Sequence, residues 1–212
     1  MNLSAPIESL VPGLRGRVLT VLARSSRPIA LRELSRRVGT TGHSAVKRVL
    51  QDLSDEGMVR YALVSKAGQF FELNHDHFLV KHLLDIDHAK DTVLNVIRTQ
   101  AALWPREPRA VVLFGSVATG QDTAASDIDV LVVCRTDKEP TDDWDRDRLR
   151  LVESVYELTG NSLNLVVFTA SDWERAQERS ETLVNEVARD GVVVTGTSLR
   201  TLVGATRAGV SR

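Results

Sequence analysis

Apolar residues in the first third of the chain recur at helical spacing and then at strand spacing, which divides that stretch into elements before any chemistry is considered. Leu14, Val18, Val21 and Leu22 share one face of a helix that ends at Ser25-Ser26-Arg27-Pro28, because proline lacks the backbone donor a continuing helix requires. A second helix is predicted over residues 29–38, with Leu31, Leu34 and Val38 inward, stopping at the glycine-containing turn Gly39-Thr40-Thr41-Gly42. A third, over residues 43–56, turns Val46, Leu50 and Leu53 inward and leaves His43, Ser44, Lys47, Arg48 and Gln51 outward before Gly57 closes it. The period then falls to two: residues 58–64 and 69–73, joined by Ser65-Lys66-Ala67-Gly68, predict a hairpin.

A helical pattern over residues 78–103, carrying Phe78, Leu83, Ile86, Val93 and Ile97, breaks at Trp104-Pro105-Arg106-Glu107-Pro108, the clearest boundary signal in the chain. Ala110-Val111-Val112-Leu113-Phe114 then reads as a buried strand emptying into Gly115-Ser116-Val117-Ala118-Thr119-Gly120. Further on, the pattern predicts a strand over residues 128–133, an amphipathic helix over 142–158, a strand over 163–168 and an edge strand over 192–194. Ser171-Asp172-Trp173-Glu174 has the spacing of a capping box for a polar helix with Leu183, Val184 and Val187 inward. The expected organisation is residues 1–77, a connecting helix and linker over 78–108, a second domain over 109–205 and a mobile tail over 206–212.

Composition narrows the classes. With 212 residues, 42% hydrophobic and 26% charged, there is core material for one large domain or two small ones, and disorder is not indicated. No apolar run approaches the roughly eighteen residues of a membrane span, and residues 1–10 lack the regions of a signal peptide, so a cytoplasmic location is expected and no membrane partner. The single cysteine, Cys134, rules out an intrachain disulfide and reads as a buried, inert thiol. His75-Asp76-His77 reads as a surface turn rather than a metal site. The net charge of −1 hides an asymmetry: residues 1–74 carry 11 Lys and Arg against 6 Asp and Glu, and the remainder 16 against 22. A basic first third suits a polyanionic partner.

A helix entering the major groove needs donors on its outward face, with cations or small hydroxyl residues near the flanking phosphates. Thr41, His43, Ser44, Lys47 and Arg48 meet that need, and Lys66 at the hairpin tip is placed to reach backbone phosphate. The phrase Leu50-Gln51-Asp52-Leu53-Ser54-Asp55-Glu56-Gly57-Met58-Val59 resembles the end of the recognition helix in the winged helix-turn-helix family. That resemblance implies duplex DNA as a partner, with a homodimer compatible; a solvated polar face or a protein-interaction module is the alternative.

In the second half, glycine permits close backbone approach to a phosphate, and Ser116 offers a hydroxyl and an N–H at the start of a helix. A P-loop is excluded, because Gly120 is followed by Gln121-Asp122 instead of Lys and Ser or Thr. Ser126-Asp127-Ile128-Asp129 follows instead. Residues two apart on a strand share a face, so Asp127 and Asp129 project together and make a hard-oxygen site suited to Mg²⁺ or Mn²⁺. Gly115-Ser116 after one strand and Asp127-x-Asp129 at the next resemble the signature of the polymerase beta nucleotidyltransferases, especially the minimal ones.

The resemblance implies an α/β (α+β) protein: an N-terminal winged helix-turn-helix plus a polymerase-beta-like fold with a small mixed sheet flanked by helices. It assigns Gly115, Ser116 and Ser126 to the nucleotide, and Asp127 and Asp129 to metal and catalysis. It further implies transfer of a nucleoside monophosphate from an NTP to an unidentified acceptor, with two metals stabilising pyrophosphate and activating the acceptor. Asn164 stands where the family's third carboxylate is expected, and Val117 and Thr119 where related enzymes often carry arginines. A neutral amide is a poorer ligand and no base. The competing expectation is therefore a DNA-binding regulator whose degenerate domain senses nucleotide without turnover, unless Glu153, Glu157 or Asp172 supplies the missing acid.

Overall fold

In the computed structural model, residues 1–39, 42–63, 69–137 and 142–204 are described. They divide into two units, Ala5–Lys90, and Met1–Ser4 together with the chain from Asp91 onward. Thr41, the hairpin tip with Lys66, and the tail over 206–212 lie outside the described residues.

The first unit opens with α1 (Pro6–Leu10), a single turn with no counterpart in the hydrophobic pattern, followed by α2 (Leu14–Ala23). The helix expected from residue 29 starts later. Ile29 and Ala30 form β1 (Ile29–Ala30), antiparallel to Phe71 and Phe70, and only then does α3 (Leu31–Arg37) begin. Pairing gives the Ile29 backbone a partner and leaves its side chain 2% exposed, which outweighs local helical spacing. After Gly39, at φ +74°, α4 (His43–Asp55) buries Val46, Leu50 and Leu53 completely. The hairpin is β2 (Val59–Leu63) and β3 (Gln69–Leu73), and the described sheet runs β1-β3-β2.

The continuous helix expected over 78–103 is two, α5 (Phe78–Asp87) and α6 (Ala89–Ala102), interrupted at His88. Arg24 grips the Asp87 carboxylate through Nε at 2.9 Å and Nη2 at 2.8 Å, tying the end of α5 to the residue that caps α2.

In the second unit β4 (Ala110–Phe114) runs into α7 (Gly115–Thr119), followed by β5 (Ile128–Val133), α8 (Asp142–Thr159) and β6 (Leu163–Phe168). The chain continues through α9 (Ala170–Glu178), α10 (Thr182–Asp190), β7 (Val192–Gly196) and α11 (Leu199–Val203). The described sheet has the order β6-β5-β4-β7, with β5 and β6 parallel and the other pairs antiparallel. Strand alternation sorts its side chains into two layers. Val111, Leu113, Val130 and Val132 pack with Ile97, Trp144, Leu151 and Val155 on one face. Val112, Leu131 and Val133 pack with Trp173, Val184, Val187 and Leu202 on the other.

Two local expectations are corrected here. The cap of α9 is Thr169, not Ser171: Thr169 Oγ1 accepts from Asp172 N–H at 3.1 Å and donates to Asp172 Oδ2 at 2.6 Å. β6 ends at Phe168 as expected, and the helix starts two residues earlier than a Ser171 cap requires, capped by the first hydroxyl after the strand. The single polar helix is α9 and α10, separated where Ser180 adopts φ 50°.

Trp173 is fully buried, donates Nε1–H to Leu202 O at 3.0 Å and meets Phe168 edge-on at 5.6 Å. Trp173→Ala is expected to destabilise this unit by about 3–5 kcal/mol. Because the three tryptophans, 104, 144 and 173, all lie in it, urea unfolding followed by the fluorescence of the remaining two reads this unit alone.

Candidate functional site

The site is assembled by the β4-β5-β6 register. Phe114 pairs with Asp129, and Asp129 pairs with Asn164, so the last residue of β4 and the mouths of β5 and β6 form one row. Asp129 follows the alternation of Leu131 and Val133, and is half-buried; Ile128 is fully buried on the opposite face. Gly115 takes φ +71°, and a Cβ there would lie 2.5 Å from Asp129 Oδ2. Any larger residue would displace the carboxylate, so this glycine has two independent reasons. Asn164 donates Nδ2–H to Asp129 Oδ1 at 3.0 Å.

Asp127 stands just ahead of β5 and is exposed. Ser116, in the first turn of α7, is half-buried, and Gly120 ends that turn in the left-handed region at φ +73°. Ser126 is engaged within its own loop, its Oγ accepting from Thr123 N–H at 2.9 Å. Of the carboxylates that could substitute for the missing acid, Glu153 and Glu157 line a hollow beside Trp104 and Asp147. Asp172 lies in the first turn of α9, where its carboxylate accepts from the Thr169 hydroxyl and pairs with Arg175. Its carboxyl is held below the usual range by the Thr169 hydroxyl first and Arg175 second. Among the described residues no three His, Cys, Asp or Glu side chains converge.

Two residues that the sequence pattern does not single out hold the loop leading to Asp127. Asp122, 6% exposed, accepts from Leu3 N–H at 2.7 Å, Ser4 N–H at 3.2 Å and the Ser4 hydroxyl. Asn161, 4% exposed, donates Nδ2–H to Ser126 O at 2.8 Å, tying the turn before β6 to the loop before β5. The local pattern marks Asn161 only as part of a turn. Nothing in it marks Asp122, whose partners lie 118 and 119 residues away.

In the first unit, His43, Ser44, Lys47 and Arg48 are exposed on α4. Gln51 is engaged locally, accepting from the Tyr61 hydroxyl at 2.9 Å and donating to Asp55 at 2.8 Å. Cys134 is half-buried instead of buried, because β5 ends one residue before it.

Residues 97–198 match the family described as Polymerase beta, Nucleotidyltransferase. The C-terminal half is a polymerase beta nucleotidyltransferase domain. No curated protein matches the chain. Among solved structures, a toxin-antitoxin with AMP-PNP is 21% identical, with a TM-score of 0.35 over 50% of this chain and 74% of that one. A mutant of the toxin-antitoxin MntA-HpeT is 19% identical, with a TM-score of 0.34 over 51% and 73%. A nucleotidyltransferase from Sulfolobus solfataricus is 22% identical, with a TM-score of 0.29 over 50% and 82%. Among the described residues no helix of the protein is long and apolar enough to cross a membrane.

Within the nucleotidyltransferase domain, Asp122→Ala would leave three donors facing a buried void. The expected cost is about 1–3 kcal/mol, with Asp122→Asn in between, measured by urea unfolding monitored through tryptophan fluorescence.

Proposed function

We propose that the nucleotidyltransferase domain binds a nucleoside triphosphate with a divalent cation and transfers the nucleoside monophosphate to an acceptor. The observation that carries this is the close packing of Gly115 against Asp129 at the mouth of β5, two residues past the exposed Asp127. Two carboxylates at an open strand mouth are a hard-oxygen donor set, which fits Mg²⁺ or Mn²⁺. Asp127 and Asp129 would hold the ion, which supplies neutralising charge at the phosphates. Gly115 keeps the backbone close, and Ser116 offers its hydroxyl beside it.

A second reading has its own support: Asn164 sits on Asp129 where a third acid would strengthen the site, and no other carboxylate joins the pair among the described residues. That favours a domain that retains nucleotide and turns it over slowly or not at all, serving as a sensor for a DNA-binding regulator.

For the first unit, the reading is a winged helix-turn-helix that binds duplex DNA. Its supports are the glycine turn between α3 and α4, the β1-β3-β2 sheet, and the exposed row His43, Ser44, Lys47 and Arg48. Thr41 and Lys66 would add phosphate contacts. Lys47→Ala with Arg48→Ala should weaken duplex binding and flatten its salt dependence, the slope falling by roughly 0.9 for each phosphate no longer neutralised. Fluorescence anisotropy across a salt series measures it, and an unchanged slope would remove α4 from the interface.

The site is tested by isothermal titration of Mg²⁺-ATP, CTP, GTP and UTP, and by pyrophosphate release. Asp127→Asn with Asp129→Asn should abolish metal-dependent nucleotide binding while the fold persists. Asn164→Asp replaces a 3.0 Å amide-carboxylate hydrogen bond by two facing carboxylates. Like charges that close destabilise the metal-free protein, so its melting temperature should fall below the parent's and recover with Mg²⁺. Pyrophosphate release above the parent's, abolished again with Asp127→Asn, supports the transferase; recovered binding without release supports the sensor.

A further inference from the structure

A cavity lies at the end of the sheet opposite Asp129 and on its other face. It occupies about 360 Å³ between α8, the ends of β5 and β6, and the segment ahead of β4. Cys134 follows β5 by one residue, five strand positions from Asp129, which at about 3.3 Å per residue separates the two sites by roughly 16 Å. We propose that this cavity is a binding site for a small organic anion carried on a flat, apolar body.

The walls supply the apolar half of that chemistry. Pro108, Cys134, Trp144 and Val167 line the cavity, and Trp144 is 4% exposed, wedged edge-on against Trp104 at 5.6 Å. The volume falls in the range of small-molecule sites, roughly 300–1,000 Å³. A flat ring has apolar surface to lie against, whereas bare inorganic phosphate would leave these walls unused.

The polar half is cationic. Arg106, Arg135 and Arg148 line the cavity against two acids, Glu107 and Asp172. Glu107 is paired with Arg135 at 3.3 Å, and Asp172 is engaged by Arg175 and the Thr169 hydroxyl. Arg148 is held over Trp144, with Cζ 4.9 Å from the ring centroid, and its Nη1 reaches Asp145 at 3.3 Å. Its Nε is nevertheless buried and has no hydrogen-bond partner among the described residues. A buried cationic N–H without an acceptor is costly, and an anionic oxygen in the cavity would satisfy it. Burial raises the Cys134 thiol, while Arg106 and Arg148 both act to lower it, so the field at the thiol is positive.

Cys134 is the chain's single cysteine and so a built-in reporter of that field. Its thiolate attacks the sulfenyl sulfur of a methanethiosulfonate, forming a mixed disulfide and releasing methanesulfinate. Labelling of the full chain with sulfonatoethyl and trimethylammonium-ethyl methanethiosulfonate is compared, each rate normalised to that of the uncharged thiol 2-mercaptoethanol. The anionic reagent is expected to react faster by roughly tenfold at low salt, with the preference shrinking in high salt and in Arg148→Gln. Arg106→Gln serves the same purpose should Arg148→Gln fail to fold by circular dichroism. In the ligand arm, 2-naphthoate is expected to slow labelling at concentrations where neutral 2-naphthylmethanol has little effect. A normalised ratio of one or less, no labelling by either reagent, no protection by 2-naphthoate, or equal protection by the neutral alcohol each overturns the proposal. None of these readouts depends on nucleotide binding at Asp127 and Asp129.

Discussion

The β4-β5-β6 register is the constraint on which the C-terminal half depends. A shift of one residue in β5 would exchange its two faces, moving Asp129 from the strand mouth into the α6-α8 layer and Ile128 into its place. Val130, Leu131, Val132 and Val133 are all fully buried, so both faces of β5 are apolar there, and the shift is opposed at Asp129 itself, whose carboxylate would enter the layer that Ile128 fills. Registration is thus enforced by the cost of burying that carboxylate, and the row Phe114, Asp129, Asn164 follows from it.

Glycine at 115 shows how the same row connects backbone geometry to charge. Its positive φ turns the chain from β4 into α7, and the side chain it lacks is replaced in space by the Asp129 carboxylate. Beyond the row, buried polar side chains hold the loop between Gly120 and Ile128. Asp122 gathers the backbone of residues 3 and 4, and Asn161 reaches Ser126 O from the turn ahead of β6. Each bond joins segments remote in sequence, so the loop's shape is a property of the folded unit.

The sheet has two functional ends in this reading, and they differ in kind. At the mouth of β5 the groups are carboxylates and an amide, open to solvent; beyond its far end they are guanidinium groups over an indole. The separation follows from α8, which carries Trp144 and Arg148 past that far end in its first turns. The two clusters lie roughly 16 Å apart along β5 and on opposite faces of the sheet, so neither neutralises the other directly.

Much of this was legible in the chain alone. Hydrophobic period marked α2, α4 and the hairpin, and short apolar runs marked β4, β5 and β6, the first two buried on both faces. The Gly115-Ser116 and Asp127-x-Asp129 spacing pointed to the polymerase beta domain that the family match shows, and the resemblance set Asn164 at the third-carboxylate position, which the β5-β6 register brings beside Asp129. What tertiary structure decided were the departures from local preference. Ile29 joined a sheet because Phe71 offered its backbone a partner, α9 was capped by Thr169 through its paired bonds to Asp172, and the helix over 78–103 broke at His88. Asp122 and Asn161 acquired their roles only when remote donors and acceptors arrived. Spacing along the chain records which residues share a face, but a hydrogen bond across more than a hundred residues leaves no local trace.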